Sequence, residues 1–224
     1  MKIKKLELYT QKLIEQKKFY SSTLGLKKIE ESDKSASYQI GNTIVKFTYQ
    51  KDATPYHYAI NIPANQIEQA LSWLKNRVTV LEHNSNEIQY FDFWDAYAIY
   101  FYDPDYNVVE LIARKTLDSY SNNVFSEESL LSISEIGLPT NNIKKVYNAL
   151  SEASDIPIYS GNFERFLSVG NEEGLFIIID NKKKKEWFPT SDKTYASDFK
   201  MNFTEKGKKY GLNYINERLI LSAH

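Results

Sequence analysis

The chain repeats itself, and the repeat limits what it can fold into. Ile60-Asn61-Ile62-Pro63-Ala64-Asn65-Gln66-Ile67 is echoed by Ile136-Gly137-Leu138-Pro139-Thr140-Asn141-Asn142-Ile143. The register then continues, with Ile67, Ala70, Leu71 and Leu74 answered by Ile143, Val146, Tyr147 and Leu150. Each set has the spacing i, i+3, i+4, i+7 that lines one face of a helix. Pro63 and Pro139 sit where a strand ends, and Asn65 and Asn141 read as helix N-caps. A third copy opens the chain, with a strand over 5–10, a helix predicted over 13–24 and Gly25 as its stop. Strand-like runs follow each helix: 26–32, 35–40 and 43–49 after the first, then 78–83, 87–91, 97–102 and 108–113 after the second. After the third come 158–159, 163–169 and 175–179. The unit is βαβββ, and such units must stack to bury faces that one unit cannot bury alone.

The repeat predicts an α+β protein of tandem βαβββ modules. Residues 116–130 are polar and turn-rich and read as a linker between a complete pair of units (1–115) and a degenerate second copy (131–224). In that second copy, 199–204 and 210–221 read as strands with no fourth helix. Asn84 to Asn86 reads as a hairpin turn.

Composition removes whole classes of chemistry. The chain has no Cys, which excludes disulfides, thiolate metal sites and cysteine nucleophiles. With only three histidines, His57, His83 and His224, a three-histidine metal site is not expected. A net charge of −1 gives no basic excess for nucleic acid. The N-terminal residues alternate in polarity, which predicts a strand and not a signal sequence, and no apolar run is long enough to span a bilayer. The expected setting is cytoplasmic, without membrane or nucleic-acid partners. No phosphate-binding Gly loop or nucleophile elbow is present.

One segment carries chemistry. Asp103-Pro104-Asp105-Tyr106-Asn107 reads as a tight turn, and Val108, Val109, Leu111 and Ile112 as a buried strand interrupted by Glu110. A buried carboxylate is costly unless it is paired, hydrogen-bonded or bound to metal. His83 reads as a solvated loop residue, Lys182 to Lys185 as a solvated tip, and His224 as a terminus without a fixed place. Trp94, in Phe91-Asp92-Phe93-Trp94-Asp95, either packs in the core or stacks on a flat ligand.

With the repeat in place, residues 1–115 resemble the vicinal oxygen chelate superfamily, which includes glyoxalase I, bleomycin-resistance proteins and extradiol dioxygenases. The likeness rests on Phe19-Tyr20-Ser21-Ser22-Thr23-Leu24-Gly25-Leu26, on residues 41–49, and on Tyr102 to Ile112, which is similar to the family's DPDGNxxEL. Tyr106 stands at the family's turn glycine, a strain cost if its φ is positive. The second half resembles the same group through Ser134 to Pro139 and Trp187-Phe188-Pro189. The resemblance implies a curled mixed sheet with an open cleft, and metal ligands on the first and last strands of each unit. Those positions fall on His57 and Glu110 in the second unit, but on Lys5 and Lys46 in the first.

Three readings follow. In the first, a cation from Lys5 or Lys46 replaces the metal beside His57 and Glu110, and the cleft binds a small organic molecule without a cofactor. The protein would then be a monomer or homodimer. In the second, His57 and Glu110, with Glu7 as a substitute ligand on the Lys5 face, hold Fe, Mn, Ni or Zn for lyase or dioxygenase chemistry. In the third, His57 and Glu110 are a satisfied structural pair in an interaction module. Glu135 falls on the face equivalent to that of His57, and Ile177 at the equivalent of Glu110, so the second half lacks the ligand pair and is expected to be structural or to complete the cleft.

Overall fold

The computed structural model describes residues 1–223, so the expectation for His224 lies outside the described residues. The first unit is β1 (Lys2–Thr10), α1 (Leu13–Lys18), β2 (Lys28–Glu31), β3 (Ser35–Ile40) and β4 (Thr43–Tyr49). The second is β5 (His57–Ile62), α2 (Ile67–Lys75), β6 (Val80–Leu81), β7 (Gln89–Phe91), β8 (Ala96–Tyr102) and β9 (Val108–Arg114). The third is β10 (Ser132–Thr140), α3 (Ile143–Ser154), β11 (Ile158–Gly161), β12 (Phe166–Asn171) and β13 (Gly174–Asp180). The last has strands alone: β14 (Phe199–Glu205), β15 (Lys208–Ile215) and β16 (Arg218–Ala223).

The units pair in a nested order. One sheet runs β16-β15-β14-β1-β4-β3-β2 and joins the first unit to the fourth. The other runs β11-β12-β13-β10-β5-β9-β8-β6, with β7 on β8, and joins the second unit to the third. We call these the outer and the inner sheet. The first two units therefore do not share a sheet, and β5 pairs with β10 across the stretch read as a linker. That stretch is itself pinned: Asn65 donates to the Ser121 carbonyl and accepts from the Ser121 amide, and Phe125 and Leu130 are buried.

Alternation decides what faces where. In the inner sheet, Tyr58, Ile60, Val109, Leu111, Ile136 and Phe176 enter a core shared with Leu6, Leu8, Val45 and Phe47 of the outer sheet. Leu74, Val146 and Leu150 bring the helices onto the same core, each buried side chain contributing about 1.5–3 kcal/mol. The intervening residues, Ala59, Val108, Ile112, Leu175 and Ile177 among them, form a second apolar cluster on the opposite face of the inner sheet.

Local details follow the sequence with small shifts. The first helix loosens into a π-helical turn over Phe19–Thr23 and stops at Gly25, whose φ is +75°. The third helix is capped by Asn142, one residue later than expected, through its side chain and the Lys145 amide. Gln66 stands at the N-terminus of α2 without a side-chain cap, because Asn65 is engaged with Ser121. Asn84 and Ser85 both have positive φ, as a two-residue hairpin with the sheet's twist requires. No helix of the described residues is long and apolar enough to cross a membrane.

Candidate active site

The Asp103–Asn107 turn sets the site from below. Asp103 accepts hydrogen bonds from the Asp105 and Asn107 amides, and Asn107 accepts from the Tyr56 amide at 2.7 Å. The Val108 amide donates to the Tyr56 carbonyl. The turn thus grips the residue before β5 and locks β5 to β9 in parallel register, with Ala59 opposite Glu110. Tyr106 takes a φ of 61°, which turns the chain back at some strain. Asp103 is buried, and burial pushes its carboxyl up to about 6 against the donors Asn107, Gln16 and Tyr20.

Three side chains converge where β5, β9 and β10 meet. His57, Glu110 and Glu135 are all buried, and one donor atom of each lies within 4.8 Å of the other two. Glu135 reaches this face through a bulge: the β5–β10 register slips between Ile133 and Glu135, which reverses the alternation. His57 Nδ1 lies 3.0 Å from the Val108 carbonyl. That acceptor assigns the proton to Nδ1 and leaves Nε2 with a bare lone pair. Nε2 then faces Glu110 Oε2 at 3.6 Å, too long for a hydrogen bond.

Electrostatics sharpen the picture. Burial lowers His57 to about 4, against the Val108 carbonyl and with Lys184 lowering it further, so the ring is neutral near pH 7. Burial raises Glu110 well above the carboxylate range and Glu135 adds to the rise, while Arg114 and the Tyr100 hydroxyl oppose it. Burial also raises Glu135, opposed by Arg114. Arg114 is fully buried, is bonded through Nη2 to Glu135, and keeps Nε and Nη1 without partners. Two carboxylates and a bare imidazole nitrogen therefore face one another with one guanidinium at their edge. Nitrogen and oxygen donors around an open position fit a divalent ion such as Fe, Mn, Ni or Zn.

A cavity of about 410 Å³ opens over the cluster. Its walls are largely aromatic, Phe91, Trp94, Tyr100, Phe166, Trp187 and Phe188 among them, with Asp92 also on the wall. Trp187 lies against the His57 ring at 4.8 Å between centroids. Gly137 makes room for it, since a Cβ there would stand 2.7 Å from the Trp187 ring. Ile177 occupies the position equivalent to Glu110 and closes the donor set at three. The predicted site residues are thus divided. His57, Glu110 and Trp94 line this cavity, whereas Lys5 and Glu7 line a pocket of about 260 Å³ with Lys200, Asn202, Asn213 and Ser222 on the outer sheet. Lys46 pairs there with Glu7 at 3.6 Å. Neither lysine is the cation beside Glu110, and Glu7 is not a substitute ligand, because β1 hydrogen-bonds to β14 and β4, and β4 to β1 and β3, not to β5. The nearby cations are Arg114 and Lys184. Sequence reasoning placed Glu135 on the face equivalent to that of His57 but not beside it. It passed over Arg114, although Arg114 lies four residues beyond Glu110 on the same strand face. His83 packs on Phe188 at 4.7 Å between centroids, not in open solvent.

Comparisons with known proteins follow this geometry. No protein-family model matches the chain. A stretch of 101 residues, 42% of the chain, is 31% identical to metallothiol transferase FosB of Staphylococcus saprophyticus subsp. saprophyticus. It spans 64% of that protein's length. Among solved structures, a protein of Bacillus subtilis subsp. subtilis str. 168 provisionally assigned as a dioxygenase superposes with a TM-score of 0.62 at 11% identity, over 100% of this chain and 84% of that one. A glyoxalase I mutant from Zea mays superposes with a TM-score of 0.59 at 13% identity, over 99% of this chain and 92% of that one. At such identities the structural likeness is one of fold.

Proposed function

The chain has the fold of the glyoxalase, bleomycin-resistance and dioxygenase proteins, the vicinal oxygen chelate architecture, and from that premise we propose that the inner-sheet cleft is a metal-assisted site for a small organic molecule. His57, Glu110 and Glu135 would hold the ion. One observation carries the reading: three buried lone-pair donors converge with the His57 proton turned away on Val108. An ion bound there would act as a Lewis acid on a substrate oxygen. The aromatic walls exclude water and hold a flat body, and Trp187 fixes the His57 ring from one side. Because Ile177 takes the fourth corner, positions remain for substrate or water. The class of reaction this supports is lyase or dioxygenase chemistry on adjacent oxygens. The test is metal analysis of protein purified without chelator. Stoichiometric Fe, Mn, Ni or Zn that is lost in Glu110→Gln supports the proposal, and metal-free protein that takes up none of the four on titration sinks it.

A second reading has its own observation. Arg114 already supplies a positive charge to Glu135, so the cleft could hold a ligand without metal. In that case the uptake experiment fails while ligand binding persists.

A further inference from the structure

Lys184 is the cation in the cleft wall that the proposed site leaves without work. The turn after β13 brings it there. The Asp180 carboxylate accepts from the Lys182 amide, and the Asp180 carbonyl accepts from the Lys184 amide, which coils the run of lysines. Lys182, Lys183 and Lys185 stay in solvent, while Lys184 is half-buried and lines the cavity with the aromatic walls. Its ammonium lies 5.6 Å from the Trp187 ring centroid, and its hydrogen bond goes to the Glu186 carbonyl at 3.2 Å. Among the described residues no carboxylate lies within 4.0 Å of it. A half-buried ammonium served by a single carbonyl has donors to spare, because lysine offers three.

The charges of the cleft point the same way. Asp92, Glu110 and Glu135 bring three carboxyl groups to the cleft, Arg114 and Lys184 bring two cations, and a divalent ion would tip that balance to a single positive charge. A water-poor site of that sign favours an anionic ligand, because an unpaired charge in such surroundings is costly. The walls supply the remaining constraint. Eight aromatic side chains line the cavity and admit a flat, ring-bearing body.

We infer that the cleft takes a ring-bearing organic acid, and that Lys184 selects it by binding its acidic group. This names the ligand class for the site proposed above and rests on that reading for the metal, but not for the ammonium. Selectivity here means preference for the acid over its neutral isostere. A charge-assisted hydrogen bond of this kind changes affinity by about tenfold or more.

The experiment uses tryptophan fluorescence. Trp94 and Trp187 wall the cavity and Trp73 lies elsewhere, in the core under α2. The probes are 1-naphthoate and 1-naphthamide, titrated into the full chain before and after metal removal by chelator, with metal content measured in the same samples. The acid should bind more tightly than the amide. Lys184→Gln should weaken the acid by about tenfold and leave the amide unchanged, in both metal states, and Lys184→Arg should keep the preference. The inference is overturned if Lys184→Gln weakens acid and amide alike, if it changes neither, or if wild type binds neither probe. The two proposals fail separately. Lysine-dependent acid binding in a protein that takes no metal sinks the metal reading only. Bound metal with no lysine-dependent preference sinks only the inference about Lys184.

Discussion

The inner and outer sheets are built from the same unit and present unlike faces. Each puts the first and last strands of a βαβββ unit side by side, β1 with β4 in the outer sheet and β5 with β9 and β10 with β13 in the inner. In the inner sheet those strands hold His57, Glu110, Glu135 and Ile177, buried under aromatic walls. In the outer sheet they include Lys5 and Lys46, with Glu7, on a polar and partly exposed surface. The difference lies less in the residues than in their cover. The turn that carries Lys184, Trp187 and Phe188 roofs the inner face, and the outer pocket is lined by strand residues, most of them polar, with no aromatic side chain among them. One scaffold thus holds a dry cleft and a wet one, and only the dry one can make charge chemistry strong.

Substitutions can break or sharpen that contrast. The largest effect is expected from Glu135→Leu, which leaves Arg114 buried and unpaired. Denaturant titration should show a loss of about 3–5 kcal/mol. Next comes His57→Ala, which should lower metal affinity by about 100-fold or more by calorimetry. Lys46→Ala should leave that affinity untouched, and an equal loss in the two variants would erase the distinction between the faces. Gly137→Ala drives a methyl group into Trp187 and should cost about 1–3 kcal/mol, with a change in tryptophan emission. If the emission stays constant, Trp187 is not held as described.

A smaller effect concerns pH. Glu110 has a folded-state pKa raised above the ordinary 4.5. A raised carboxyl stabilises the fold fully below its unfolded value, and that contribution is lost as pH climbs through the raised one. Metal-free Glu110→Gln should therefore gain on wild type at pH 8 and differ little from it at pH 4, read from denaturation midpoints. A constant difference across that range would mean that Glu110 keeps its charge in the fold. The smallest effect belongs to the outer face. Separating Glu7 from Lys46 in a partly exposed pair should cost about 0.2–1 kcal/mol, read from the denaturation midpoint.

Much of this was legible in the repeat. The family resemblance put His57 and Glu110 on the first and last strands of the second unit, and the repeat put Glu135 on the face equivalent to that of His57. The pairing of units was not legible. The strands β1 and β5 each carry an apolar pattern, and neither pattern says which distant strand will join it. The bulge before Glu135 is equally silent, since Ile133-Ser134-Glu135 reads as plain alternation. Lys184 was hidden in a run of four lysines, because charge runs are usually solvated and only the coil after Asp180 turns one of them inward. Arg114 was hidden by its place at a strand end, where arginine is ordinarily exposed.

The nested order of the units has a kinetic corollary. The inner sheet joins neighbours in the chain, and the outer sheet joins its two extremes, so the outer closure spans the longer loop. Loop-closure entropy grows only slowly with length, but the outer strands meet at little extra cost once the inner sheet has drawn β4 and β14 together. The expected course is inside-out, with the amides of β5 and β10 gaining protection from hydrogen exchange before those of β1 and β14. The cleft would then be walled before the molecule closes around it.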